Sequence, residues 1–309
     1  MNQISVLLPL YNGERYIAEA VESVLAQSRR DFELLILDDG STDRSLSIVN
    51  AYAARDPRVR VISRENRGLV ATLNELLAEA SGELIARMDA DDVCLPDRFE
   101  RQFAFLDAHP EIVCVGGDVE MIDERGRFLT TLSVPSHDAD IQREALKGYA
   151  PLFHPSAMIR TAALRTIGGY RQDYWPAEDL DLWLRLGEVG QLANLAKPVL
   201  RYRLHGGSIS GSNVTRQRDA AQRCCESAWQ RRGVTNGRFE ANDAWRPGPD
   251  SPSQHRFMLR FGWWAFLSGQ RLTTLIYGVK AIRHRPLASA GWRLLVCGLC
   301  KPMKPVPRN

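Results

Sequence analysis

Leu84-Ile85-Ala86-Arg87-Met88-Asp89-Ala90-Asp91-Asp92 is the stretch from which the rest of the chain can be read. Its first half is a short, mostly apolar run, the pattern of a buried strand. Its second half places three carboxylates within four positions where that strand would end. Like charges this close repel, and each raises the pKa of its neighbours unless a positive group sits among them. In an extended chain residues two apart point the same way, so Asp89 and Asp91 can face one object together. Hard divalent cations take carboxylate oxygens and commonly share them with substrate phosphates. The same acids also read as a solvated turn capping a helix that begins near Pro96. The flanking chain has to choose between a metal site and a cap.

Upstream, Ile4–Leu8, Phe32–Leu37 and Val59–Ile62 are three further apolar runs. The first shows no polar alternation, the mark of a strand covered on both faces. Between the runs lie helical patterns. Glu14–Gln27 carries Ile17, Ala20, Val21, Val24 and Leu25 on one side, a second helix with Ser41 or Thr42 as its N-cap runs to Ala54, and a third after Asn66-Arg67-Gly68 carries Leu69, Leu73, Leu76 and Leu77. Four strand–helix alternations at short spacing predict an α/β fold with a parallel sheet and helices on both faces. Right-handed crossovers put all four strand C-termini on one edge, where ligands of open α/β sheets bind. Tyr11 in the turn Pro9–Gly13, together with Asp38, Asp39, Arg64 and Asp89, falls on that edge.

Downstream, the pattern predicts a helix over 98–108, a strand over 112–115, and a hairpin over 119–132 turning at Glu124-Arg125-Gly126. Further elements follow: a helix over 138–146, a strand over 157–159, a helix over 161–167 stopped by Gly168-Gly169, a helix over 177–188 and a strand over 198–202. Then the alternation stops. Gly237–Ser253, with Pro247, Gly248, Pro249 and Pro252, reads as an exposed connection. Residues 257–267 and 272–282 read as helices in which Trp263, Trp264 and Phe266 sit among apolar neighbours flanked by arginines. The expected organisation is a main domain over 1–214 and a helical C-terminal region over 215–309, facing an acceptor or a membrane.

At 309 residues, 44% hydrophobic and 25% charged, the composition is that of a soluble globular protein. A formal charge of +3 gives no footing for a nucleic-acid partner. The six cysteines show no zinc-like double pair, and Cys297-Gly298-Leu299-Cys300 lacks a βαβ context, so all six read as ordinary thiols. Ile4–Leu8 is too short for a secretory signal, and no apolar stretch approaches the ~20 residues that cross a bilayer. A cytoplasmic location is expected, with the Arg- and Trp-bearing C-terminal region touching lipid headgroups on the inner membrane surface.

Six segments, in order, resemble the motifs of family 2 glycosyltransferases: Val6–Gly13, Leu37–Asp43, Asn66–Gly68, Met88–Asp92, Ala177–Trp183 and Tyr202–His205. The resemblance covers roughly residues 1 to 211. It implies a GT-A fold, a Rossmann-like and mostly parallel sheet flanked by helices, and transfer of a sugar from a nucleotide-sugar donor, a UDP-sugar above others, to a glycan or lipid-linked acceptor. It assigns Asp39 to the uracil edge, a match of carboxylate acceptor to imide N–H donor, and Pro9, Tyr11, Arg67 and Asp89 to the rest of the nucleotide sugar. Asp91, with His205, would ligate Mn²⁺ or Mg²⁺, while Asp92 would cap or orient. Asp179 would be the base that takes the proton of the attacking hydroxyl, which in a single displacement inverts the anomeric centre. His154 and Glu178 fall on the acceptor side, and Trp183 is expected in the core. The Gln-x-x-Arg-Trp motif of processive members is absent, which points to addition of a single sugar. Two other classes remain open. A nucleotidyltransferase would need a Gly-rich loop after the first strand, and an inactive sugar-nucleotide-binding adaptor would be expected to have lost Asp91 or Asp179.

Overall fold

The computed structural model describes residues 3–205, 214–241 and 250–303. In chain order the elements are β1 (Ile4–Leu10), α1 (Ile17–Leu25), β2 (Phe32–Asp38), α2 (Ser45–Ala53), β3 (Val59–Ser63), α3 (Leu69–Glu79), β4 (Leu84–Arg87), β5 (Val93–Cys94), α4 (Arg98–Ala108), β6 (Ile112–Asp123) and β7 (Phe128–Leu132). They continue as α5 (Asp138–Ala145), β8 (Met158–Arg160), α6 (Thr161–Thr166), α7 (Glu178–Leu186), β9 (Gln191–Leu204), α8 (Val214–Arg232), α9 (Ser251–Leu267), α10 (Arg271–His284) and α11 (Ser289–Cys300). The strands form one sheet in the order β3-β2-β1-β4-β8-β6-β9-β5, with β7 paired to β6.

The first four strands are parallel, as their spacing requires, and their register aligns Leu10 with Asp38 and Asp38 with Ser63. Their carboxyl ends therefore finish at one edge. Leu7, Leu35, Leu37 and Ile85 pack against Val70, Leu73 and Leu76 of α3 and Leu182, Trp183 and Leu186 of α7. Val6, Leu8, Leu34 and Ile36 are equally buried and, by the two-residue period of a strand, face the opposite side. Both faces are covered, which explains why β1 and β2 show no polar alternation.

Several boundaries differ from the sequence expectation, each for a local reason. β1 runs on through Pro9 and Leu10, because the Leu10 carbonyl accepts the Asp39 N–H at 2.7 Å and prolongs the ladder. Ser41 and Thr42 do not cap α2. Ser41 Oγ accepts the Asn12 N–H at 2.9 Å and the Thr42 N–H donates to Asn12 Oδ1 at 2.8 Å, which ties the loops after β1 and β2 together. Asp43 satisfies the start of α2 instead, accepting the Ser45 N–H at 2.9 Å. The expected strand and the first arm of the expected hairpin are one long β6, and β7 is the hairpin's second arm. Gly116 and Gly117 do not break β6, since they admit β9 at close range: a Cβ on Gly117 would lie 2.8 Å from Val199.

Contacts divide the chain into two compact units. The first comprises residues 1–119, 133–202 and 215–241; the second comprises 120–132, 203–214 and 242–309. In the first, α8 packs Ala220, Ala221, Cys224, Cys225 and Ala228 against Leu180 and Leu184 of α7. In the second, α9 starts earlier than expected, with Asp250 as N-cap accepting the Ser253 N–H at 2.8 Å and Pro252 in the first turn, where its missing N–H costs nothing. A third helix, α11, had no sequence signal. It pairs antiparallel with α10 through glycines: a Cβ on Gly278, Gly291 or Gly298 would meet Leu295, Ile282 or Leu275. Asp123, at the turn into β7, accepts Tyr277 Oη at 2.9 Å and Arg127 Nε at 2.7 Å. All six cysteines are free thiols, as expected.

Candidate active site

Every site residue expected from the sequence except His205 belongs to the first unit; His205 follows β9 and belongs to the second. At the end of β4, Asp89, Asp91 and Asp92 each turn an oxygen into one cluster, all within 4.8 Å of one another. Asp92 is buried, and β5 separates it from α4, so it is part of the cluster and not the cap of that helix. Three carboxylates this close need a compensating charge. Arg87, buried at the end of β4, supplies one by pairing with Asp89. The all-oxygen donor set of these three carboxylates matches a hard divalent cation. Asp89, Asp91 and Asp92 are the residues that would hold it.

Glu178 and Asp179 open α7. Burial and the neighbouring Asp179 charge push Glu178 up to about 8, against which the Arg87 charge acts in the opposite sense. Burial raises Asp179 as well, while the Leu180 N–H, donated to Asp179 Oδ1 at 2.8 Å, and Arg87 oppose the rise. A carboxylate held above its ordinary range is a stronger base at neutral pH. Asp181, two residues further on in the same helix, has a different task. It is buried and bonded to Arg185 Nε at 2.9 Å and Arg171 Nε at 3.1 Å, an ion-paired clamp that anchors α7.

His154 and Tyr170 stand behind these acids. His154 Nε2 and Tyr170 Oη are 2.9 Å apart, and the imidazole lies edge-on to Trp183 with ring centres 5.9 Å apart. Burial, reinforced by Arg87, holds His154 well below the usual histidine range, so it is neutral. Burial likewise holds the Tyr170 phenol above its usual range and therefore protonated. Trp183 is fully buried, a core residue as the sequence suggested.

Asp39 follows β2, two strands along the same edge from β4, and is already engaged. Its carboxylate accepts the backbone N–H groups of Arg67 at 2.8 Å and Gly68 at 2.9 Å, and pairs with the Arg64 guanidinium. It thus caps α3 from β2, because Gly68, at φ 87°, has no side chain to do so. Asp38 turns its Oδ2 to Ser63 Oγ at 3.1 Å and closes the same turn. Tyr11 is exposed on the loop after β1, the Arg67 side chain is exposed, and Pro9 is buried within β1. The sequence reading missed Arg87 and Tyr170 as members of this site; it put Arg64 on the edge without giving it the partner, Asp39, that the structure shows. An arginine among apolar residues directly before an acidic run was the available signal for Arg87.

A family model described as "Glycosyl transferase family 2" matches residues 5–168. EpsE of Bacillus subtilis is 40% identical over 196 residues, 61% of this chain and 68% of EpsE. The amylovoran biosynthesis glycosyltransferase AmsE of Erwinia amylovora is 32% identical over 218 residues, 69% and 79% of the two chains. Among solved structures, S. aureus TarS 1–349 in complex with UDP-GlcNAc superposes with a TM-score of 0.57 at 19% identity, covering 94% of this chain and 91% of TarS. A mannosyltransferase from Pyrobaculum calidifontis, in complex with GDP-Man and Mn²⁺, gives a TM-score of 0.54 at 20% identity, covering 97% and 81%. The fold, the acidic cluster at the carboxyl edge and the matched sequence together make this chain a member of glycosyltransferase family 2.

Proposed function

We propose that the protein is an inverting, metal-dependent glycosyltransferase that moves one sugar from a UDP-sugar to a hydroxyl of a glycan or lipid-linked acceptor on the cytoplasmic side, in the assembly of a polysaccharide or O-antigen. The observation that carries this reading is the convergence of Asp89, Asp91 and Asp92 at the end of β4, in the same compact unit as Asp39 and the Glu178–Asp179 pair. A divalent cation held there, Mn²⁺ or Mg²⁺, would supply positive charge that stabilises the departing nucleoside diphosphate. Asp91 would be its principal ligand, and Asp89, tied to Arg87, would orient toward the donor.

Asp39 receives the uracil N–H on a lone pair not used by Arg64, Arg67 and Gly68, and Tyr11 covers the base. The Arg67 side chain stands free to approach the diphosphate. The acceptor hydroxyl loses its proton to Asp179 as its oxygen bonds to the anomeric carbon and the bond from that carbon to the diphosphate oxygen breaks. Because a single base acts and no enzyme nucleophile intervenes, the anomeric configuration inverts. Neutral His154, with Tyr170 and Trp183, walls the acceptor side with groups that carry no competing charge. Glu178 shares the proton balance of Asp179.

A thermal-shift panel tests the reading: UDP-GlcNAc, UDP-glucose, UDP-galactose and GDP-mannose, each with and without Mn²⁺. A rise in melting temperature is expected with at least one UDP-sugar and only when the metal is present. Stabilisation by GDP-mannose alone would reassign the base pocket, and metal-independent stabilisation would remove the cation from the mechanism.

A further inference from the structure

Helix α11 carries an apolar stripe that the described residues leave uncovered. Trp292, Val296 and Leu299 lie at i, i+4 and i+7, on one helical face, and are 51%, 54% and 59% exposed. The opposite face, with Gly291, Leu294, Cys297 and Gly298, is buried and closely packed. Leu287, in the turn that leads into the helix, is wholly exposed. Scattered exposed apolar residues are ordinary on a protein surface, but a row along one helix marks a contact surface.

Charge says what covers it. From Ser251 to Met303 the chain contains no Asp or Glu, while Arg283, Arg285, Arg293 and Lys301 are exposed around the stripe. We propose that α11 and the turn before it lie on an anionic lipid bilayer. Trp292, Val296, Leu299 and Leu287 enter the boundary between headgroups and acyl chains, and the four cations meet lipid phosphates. With a rise of about 1.5 Å per residue α11 is about 18 Å long, too short to span a hydrocarbon core of about 30 Å. No helix of the described residues is long and apolar enough to cross a membrane. The helix therefore lies in the plane of the interface. A second copy docked through this face would bring the same cations against one another, and a polyanion such as nucleic acid would leave the aliphatic side chains in water.

The inference deepens the proposed action on a lipid-linked acceptor by naming the surface on which the protein would work. Its test uses no sugar donor. The full chain is mixed with vesicles of phosphatidylcholine alone or with about 30% phosphatidylglycerol, and flotation is measured at low salt and at about 0.5 M salt. Wild type is expected to float with the anionic vesicles, weakly or not at all with neutral ones, and less at high salt. The triple variant Trp292→Ser, Val296→Ser, Leu299→Ser, which keeps every charge, should bind at least about ten-fold more weakly with its melting temperature nearly retained, since all three side chains are exposed and water replaces the one hydrogen bond lost, from Trp292 Nε1 to the exposed Pro286 carbonyl. The variant Arg283→Gln, Arg285→Gln, Arg293→Gln should lose the preference for anionic lipid. Three results overturn the proposal: no flotation of wild type, equal flotation of the serine variant, or a wild-type dimer that the serine variant converts to monomer. Nucleotide-sugar stabilisation measured on the same samples reports the catalytic unit separately, so loss of one reading leaves the other standing.

Discussion

Asp39→Ala puts the largest demand on the structural reasoning, because the carboxylate serves both the fold and the proposed base pocket. The substitution removes the acceptor of the Arg67 N–H at 2.8 Å and of the Gly68 N–H at 2.9 Å, and one of the two acidic partners of Arg64. Arg64 keeps Glu75 at 2.7 Å, so its loss is partial. Losing a helix cap costs about 0.5–2 kcal/mol, and a hydrogen bond to a charged group about 1.5–3 kcal/mol. Arg67 is exposed, and water can replace part of what is lost, so a total of about 2–4 kcal/mol is expected. At about 2–4 °C per kcal/mol for a unit of this size, the melting temperature should fall by about 4–16 °C. UDP affinity should fall in addition by about ten-fold or more, the worth of one charge-assisted hydrogen bond. The assay pairs thermal unfolding without ligand with calorimetric titration of UDP well below the variant's melting point. Asp39→Asn separates the two effects, since the amide oxygen still caps one N–H but no longer pairs with Arg64. An Asp39→Ala chain that melts with wild type refutes the capping role. One that binds UDP as wild type does removes Asp39 from the base pocket.

Four further outcomes follow from the same geometry. Asp91→Ala should abolish turnover and the metal-dependent part of UDP affinity, and equal Mn²⁺-dependent affinity in variant and wild type would exclude Asp91 as a ligand. Asp179→Asn should lower kcat by about 10²–10⁴-fold with UDP binding near normal, and wild-type turnover would show that another group is the base. Glu178 has its folded pKa raised to about 8, above the ordinary 4.5, so its contribution to stability is present at low pH and is lost as pH rises through about 8. Glu178→Gln should therefore gain melting temperature relative to wild type as pH rises from 5 to 9, whereas parallel pH dependences would show that Glu178 is not perturbed. Asp181→Ala leaves Arg171 and buried Arg185 without their carboxylate and should cost about 3–5 kcal/mol of stability, read by denaturant unfolding. A loss below about 1 kcal/mol would mean that the clamp does not anchor α7.

The sequence alone determined the parallel half of the sheet, because four unbroken apolar runs separated by amphipathic helices have few other solutions. It also placed the acids correctly at strand and helix ends, since chemistry at a carboxyl edge needs charged residues exactly where hydrophobic periodicity stops. It did not reveal β5, whose two residues carry no period, or α11, whose glycines serve contact with α10 and lower its local helix signal. Nor could it sort acids of identical type. Asp179 and Asp181 are two residues apart on one helix, yet one is a candidate base and the other is locked between two arginines. Asp92 reads as a cap until β5 appears between it and α4. Arg87 reads as part of a buried strand until its guanidinium is found beside Asp89 and among Glu178 and Asp179, some ninety residues away in sequence. Local pattern follows from neighbours along the chain, and it therefore determined where charge sits. Which charge is neutralised, desolvated or left to bind depends on groups brought together by folding, and only the tertiary structure decided that.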